Sequence, residues 1–169
     1  SFGGLVALNA ACRGIDKVKS ITLIEPALLK IAAGHPAVRK LLFKMASYLI
    51  LPYRPATKSR KIMKLLGIPD VFARDEAELK KTGKGLNKLK LPSKKEMIAQ
   101  LAAVKAAGIP LMIISGDWNP GFSAVSAAIA EQLQAPHAIL PGHGHGPHHL
   151  DSGQPFNALL RNLWHLPPV

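Results

Sequence analysis

The chain has 169 residues, 48% of them apolar, which suffices for one domain with a hydrophobic core and excludes a disordered chain. Its 22 Lys and Arg against 10 Asp and Glu give a net charge of +12, which taken alone favours an acidic partner such as nucleic acid or an anionic membrane. One cysteine, Cys12, excludes an internal disulfide framework. The sequence has no run of about 18 apolar residues and no basic leader, so we predict neither a membrane span nor a signal peptide and expect a cytoplasmic protein.

Six short segments predict an α/β frame. Apolar residues at helical spacing alternate along the chain with runs of β-branched residues. The predicted elements are, in order, a helix over 3–13, strands over 18–24 and 111–115, a helix over 121–134, a strand over 136–140 and a helix over 156–164. Strands separated in this way indicate parallel βαβ units and a mostly parallel sheet flanked by helices.

The segment 26–106 is too long for a single crossover and predicts a helical insertion on this frame. Its apolar spacing predicts a helix over 36–50, and the Ser93/Glu96 pair is a capping-box pattern that opens a second helix ending near residue 107. Turn-forming residues predict linkers around 52–55 and 82–85.

The cations are concentrated in this middle part of the chain. Twenty of the 22 lie between Lys17 and Lys105, and none lies between residues 106 and 160. Two interpretations stay open: a solvated surface of the insertion, or a basic helical module that binds nucleic acid or another acidic surface without catalysis. Because the charges are spread over several helices with few aromatic residues, we favour the solvated surface and predict no nucleic-acid partner.

Ser1 opens a helix rich in small residues at positions 3 and 4. A serine at such a sharp turn can expose its hydroxyl as a nucleophile, while the small residues let the helix pack closely. A serine that only caps the helix produces the same pattern, so this motif alone does not decide between the two.

The segment 141–149, directly after the third strand, contains four histidines. One of these imidazoles could serve as a general base at the carboxyl end of the sheet. The alternatives are a solvent-exposed loop and a metal site built from His143, His145, His148 and His149. A third polar loop follows the second strand, where Asp117 could orient a base or merely form a turn.

Taken together, the order of these elements resembles the α/β-hydrolase superfamily. The residues at 1–4 resemble the end of that family's nucleophile elbow, and Leu-Pro-Gly-His-Gly-His at 140–145 resembles its histidine loop. The resemblance covers essentially all 169 residues and corresponds to the second half of a capped member. It implies a partial α/β-hydrolase fold, with a core of 1–25 and 107–169 and a helical cap of 26–106.

The resemblance also implies site residues. Ser1 would be the nucleophile, His145 the base, and the backbone N–H of Phe2 one oxyanion donor. The usual position of the acid corresponds to Asn119, which carries no charge. Glu25, at the end of the preceding strand, and Asp117 are the candidates, and we rank Glu25 first.

The implied function is a serine hydrolase that cleaves an ester or related acyl bond through an acyl-enzyme. We expect a small, partly hydrophobic substrate, no cofactor and no metal. The first half of the fold, with its early strands and second oxyanion donor, has no counterpart in this sequence. We therefore expect the chain to be a fragment of a longer enzyme, doubtfully active alone, whose partner is that missing half.

Overall fold

Three parallel strands form the centre of the molecule. The computed structural model describes residues 1–68, 75–142, 144–146 and 154–165. The strands, in chain and spatial order, are β1 (Ile21–Ile24), β2 (Leu111–Gly116) and β3 (His137–Leu140). The helices are α1 (Phe2–Arg13), α2 (Pro36–Ile50), α3 (Pro55–Leu65), α4 (Glu76–Leu86), α5 (Lys94–Ala106), α6 (Pro120–Leu133) and α7 (Gln154–Leu163). Parallel strands separated by helices confirm the predicted α/β class.

The sheet has a different helical layer on each face. Alternate residues of a strand point to opposite faces, so β1 and β2 contribute side chains to both layers. One face forms the main core with α1, α5 and α6, whose fully buried members include Leu8, Leu101 and Phe122. The opposite face carries Met112, Ile114 and Leu140, which α7 covers. Because β2 is buried on both faces, its sequence is a continuous apolar run.

Local sequence determines where the core helices begin. The predicted capping box is present: Ser93 accepts from the Glu96 backbone N–H, and the Glu96 carboxylate accepts from that of Ser93. These bonds lower the pKa of the Glu96 carboxyl. At α1, a methyl group on Gly4 would lie only 3.0 Å from Cβ of Pro26, so glycine lets this helix approach the exit of β1.

One predicted strand boundary and one predicted linker differ from the structure. The predicted strand over 18–24 begins only at Ile21, because residues 15–17 form a 3₁₀ turn. The predicted linker at 82–85 lies inside α4, which begins at the side-chain cap of Asp75. Gly83 is tolerated in this helix because α3 packs closely against it: a methyl group there would lie 1.9 Å from the Pro55 carbonyl oxygen.

The helices of the predicted insertion differ in what they contact. α3 and α4 pack against each other, whereas α5 joins the main core through Met97, Leu101 and Val104. The assignment of 26–106 as a separate cap stays a prediction. No helix in the described ranges combines the length and apolar character needed to cross a bilayer.

We predict that Gly83→Ala destabilises the chain by about 1–3 kcal/mol, because the helices must separate to admit the methyl group. Gly85→Ala is the matched control in the same helix, where a methyl group meets open space, and alanine's higher helix propensity makes it neutral or stabilising. Urea unfolding of both variants measures the difference. Equal effects would show that the α3–α4 contact is not tight.

His137 on β3 introduces a pH dependence. Its Nε2 lies 2.9 Å from the hydroxyl of buried Ser115, and burial lowers the pKa of the ring below 6.5. The unfolded chain therefore takes up this proton at a higher pH than the folded chain does, so stability falls as the pH drops through 6.5. We expect His137→Gln to lose less stability than the wild type between about pH 7.5 and 5.5 in urea titrations. Identical losses would contradict this assignment.

Candidate active site

The strand register brings three loops together at the carboxyl edge of the sheet. Ile24 pairs with Ile114, and Gly116 pairs with Leu140, so the chain leaves all three strands on the same side. Residue 25, the loop beginning at Asp117 and the histidine loop from residue 141 therefore meet there. In open α/β sheets this edge is where ligands bind.

Glu25 is the buried centre of this edge. Its side chain is 0% exposed, and its backbone φ of +39° is in the left-handed region, which is strained for a residue with a side chain. The carboxylate accepts hydrogen bonds from the Gly116 backbone N–H at 3.0 Å and from the Trp118 indole N–H at 2.9 and 3.0 Å. A buried carboxylate requires such donors to remain ionised.

His145 completes the arrangement around Glu25. Its Nδ1 lies 2.6 Å from Oε2 of Glu25, and the residue is 9% exposed. Since an ionised carboxylate only accepts, the pairing places a proton on Nδ1 and leaves the lone pair on Nε2. Nε2 is buried and has no hydrogen-bond partner among the residues that the structure describes. Such a nitrogen can take a proton from a nearby hydroxyl.

Ser1 lies beside this pair through its backbone. Its α-amino group donates to the Ile24 carbonyl at 2.8 Å, and its carbonyl accepts from the Ala27 N–H at 3.1 Å, so it is bound to either side of Glu25. The residue is exposed overall, but partial burial of its amino group lowers the pKa to about 6, against the opposing charge of Glu25. Ser1 and His145 thus lie at one edge of the sheet, and no hydrogen bond joins Nε2 to the hydroxyl.

The Ser1 hydroxyl is not used to cap α1. Ser1 occupies the N-cap position, but its side chain accepts no capping hydrogen bond. Phe2 is the first residue of α1, so its N–H has no acceptor within the helix. The hydroxyl and this N–H are therefore adjacent polar groups at a helix N-terminus, where negative charge is favoured. The oxyanion role of Phe2 stays a prediction.

The other two acid candidates have different partners. Asp117 Oδ1 accepts from the Gly142 backbone N–H at 3.0 Å and so ties the loop after β2 to the histidine loop. Asn119 Oδ1 accepts from the backbone N–H groups of Gly121 and Phe122 and caps α6. Of the three candidates, Glu25 is the one that the structure places against His145.

Comparison with solved structures supports the α/β architecture described above. No family model and no curated protein matches the sequence. A solved structure of a mutant meta-cleavage product hydrolase, CumD, aligns with 98% of the chain at a TM-score of 0.61 and 17% identity. A second CumD structure, from Pseudomonas fluorescens IP01 with bound acetates, aligns with 98% of the chain at a TM-score of 0.56 and 17% identity.

The chain has the α/β-hydrolase fold. It spans 62% of the length of each of the two CumD chains, so the fold is present in part. Ser1, Glu25 and His145 lie at the carboxyl edge of this sheet, where open α/β sheets generally bind ligands.

The metal alternative stays untested, because three of its four histidines lie outside the described residues. Across residues 1–68, 75–142, 144–146 and 154–165, no three His, Cys, Asp or Glu side chains are grouped so as to hold an ion. His143, His148 and His149 lie outside the described residues. His145 instead pairs with a carboxylate.

Sequence reasoning missed two aromatic residues of the site. The ring centroids of Phe122 and His145 are 4.8 Å apart. Those of Trp118 and His145 are 5.8 Å apart, in an edge-to-face arrangement. The available signal was the position of Trp118 two residues beyond the end of β2. An indole N–H at a sheet edge that also holds Glu25 is a candidate donor to that carboxylate.

We predict that Glu25→Gln reverses the tautomer of His145. The glutamine amide can donate to Nδ1, which would move the ring proton to Nε2, whereas the wild type holds it on Nδ1. Nitrogen-15 NMR of the histidine rings measures this directly. Asp117→Asn is the matched control and should leave the tautomer unchanged, since Asp117 binds Gly142. An Nε2-protonated ring in the wild type would contradict the assignment.

Proposed function

We propose that this chain supplies the nucleophile and base of a serine hydrolase that cleaves an ester or related acyl bond. The observation that carries the proposal is the buried Glu25–His145 pair, whose free Nε2 lies at the same sheet edge as Ser1. Nδ1 is occupied by the carboxylate, so the only proton that the ring can accept arrives at Nε2.

The proposed reaction has two halves. The Ser1 hydroxyl attacks the acyl carbon while His145 Nε2 takes its proton, and the leaving group then departs with that proton, which produces an ester on Ser1. Water, deprotonated at the same Nε2, attacks this ester, releases the acid and restores the hydroxyl. Throughout, the Glu25 carboxylate stabilises the imidazolium and does not itself become protonated.

Charge on the attacked oxygen requires donors. The Phe2 N–H, at the N-terminus of α1, would supply one of them. The sequence assigns no second donor. Because the chain spans 62% of the two CumD structures, we propose that a longer protein supplies that donor and the remaining strands.

The substrate side of the proposal rests on the surroundings of His145. The ring is enclosed by Phe122 and Trp118, which favours an acyl group that is partly hydrophobic. We propose that the helices between β1 and β2 form walls of the substrate pocket. The proposed chemistry uses no cofactor.

Labelling with a fluorophosphonate tests this proposal, since the reagent reports an activated serine and needs no known substrate. We expect one phosphonyl group on Ser1, located by peptide mass spectrometry, and none in Ser1→Ala. His145→Gln should label about 10²- to 10⁴-fold more slowly. Ser47→Ala, which removes an exposed hydroxyl on α2, is the control and should label normally.

A phosphonate on a residue other than Ser1, or labelling of Ser1 that is equally fast with and without His145, would overturn the proposal. The first result would show that Ser1 is not the nucleophile. The second would show that Nε2 does not serve as the base.

A further inference from the structure

Trp118 has no role in the proposed proton transfer, yet its indole N–H contacts both carboxylate oxygens of Glu25. Its indole N–H lies 2.9 Å from Oε1 and 3.0 Å from Oε2 of Glu25, so one donor is shared between both oxygens. The Gly116 N–H binds Oε1, and His145 Nδ1 binds Oε2. The carboxylate is thus held at both oxygens and between them.

This pattern restricts movement of the carboxylate. Gly116 donates from the backbone to Oε1 alone and so opposes rotation about the bond between Cγ and Cδ. The indole donor, nearly equidistant from the two oxygens, holds the carboxylate as a whole and opposes its displacement from the indole. Oε2 consequently faces Nδ1 of His145, at the 2.6 Å distance on which the histidine's orientation depends.

The indole ring is itself held from two sides. Phe122 of α6 stacks on it with ring centroids 5.7 Å apart and planes inclined by 28°. Gly67, just after α3, has φ of +61°, and a methyl group there would lie 2.7 Å from Cζ3 of the indole. The end of α3 therefore contacts the ring that orients the acid.

We infer that Trp118 is a positioning residue for the Glu25–His145 pair, and that the turn at Gly67 holds the indole in place. The end of α3, which belongs to the helical segment between β1 and β2, is thereby linked to the base. The catalytic consequence rests on the proposed function, but the geometric claim does not.

The first test removes the donor and keeps an aromatic ring. In Trp118→Phe, the low-field proton resonance of His145 Nδ1–H, assigned by its absence in His145→Gln, should move upfield or broaden as the carboxylate shifts away from the ring. Trp164→Phe is the matched control. Trp164 follows α7, and this change removes the hydrogen bond that its indole N–H donates to the Ser20 hydroxyl. It should leave the resonance in place.

The second test keeps every donor and displaces the ring. Gly67→Ala should give the same spectral change as Trp118→Phe, since its methyl group would overlap the indole. Gly108→Ala is the matched control: its φ of +63° imposes the same backbone strain, but a methyl group there meets open space. The comparison separates the contact with Trp118 from the cost of a left-handed alanine.

The rate of fluorophosphonate labelling at Ser1 is a second measurement for each variant. We expect Trp118→Phe and Gly67→Ala to label Ser1 roughly 10- to 100-fold more slowly than the wild type, and both controls to stay within about twofold. If the wild type labels at a residue other than Ser1, the proposed function fails while the resonance still decides the positioning role. An unchanged Nδ1–H resonance in either Trp118→Phe or Gly67→Ala would overturn this inference. Should Trp118→Phe not fold, Gly67→Ala carries the test.

Discussion

The burial of one carboxylate organises the carboxyl edge of the sheet. Transfer of an ionised carboxyl group out of water is costly unless donors replace the water. Glu25 is fully buried and is surrounded by three of them: a backbone N–H, an indole N–H and an imidazole N–H. The backbone at Glu25 is also strained, which typically costs about 1–3 kcal/mol and persists only where surrounding contacts impose it. Two of those donors come from the end of β2 and the loop that follows it, and the third comes from the histidine loop.

The polar side chains near Glu25 have different hydrogen-bond partners. Asp117, nearer to solvent, fixes the histidine loop through the Gly142 amide, and Asn119 caps α6. Neither is available to His145. The charge at the end of β1 reaches a ring that follows β3, and the pairing of both strands with β2 brings the two together. The contact between Glu25 and His145 therefore depends on the strand register more than on the loop that holds Asn119.

The order of strands and helices could be predicted because their apolar periodicity is regular, and the capping box of Ser93 and Glu96 is a local signal. α3 and α4 escaped prediction since their stability depends on packing against each other. A glycine such as Gly83 indicates a turn when only the sequence is known, and a close helix contact once the partner is known. From the sequence, Glu25 could be ranked first among the acid candidates, but the residues that contact it could not be identified. Its partner Trp118 lies 93 positions away, and only the register of the sheet brings the two together.

The central claim is that His145 Nε2 accepts the proton of Ser1. A crystal structure of the chain after reaction with a fluorophosphonate tests it most directly, because the adduct marks the nucleophile and shows its surroundings. We predict phosphorus bonded to Ser1 Oγ, with His145 Nε2 within about 2.6–3.2 Å of an oxygen on the adduct and Nδ1 still on Glu25. An adduct on another residue, or a His145 ring that points away from Ser1, would contradict the account.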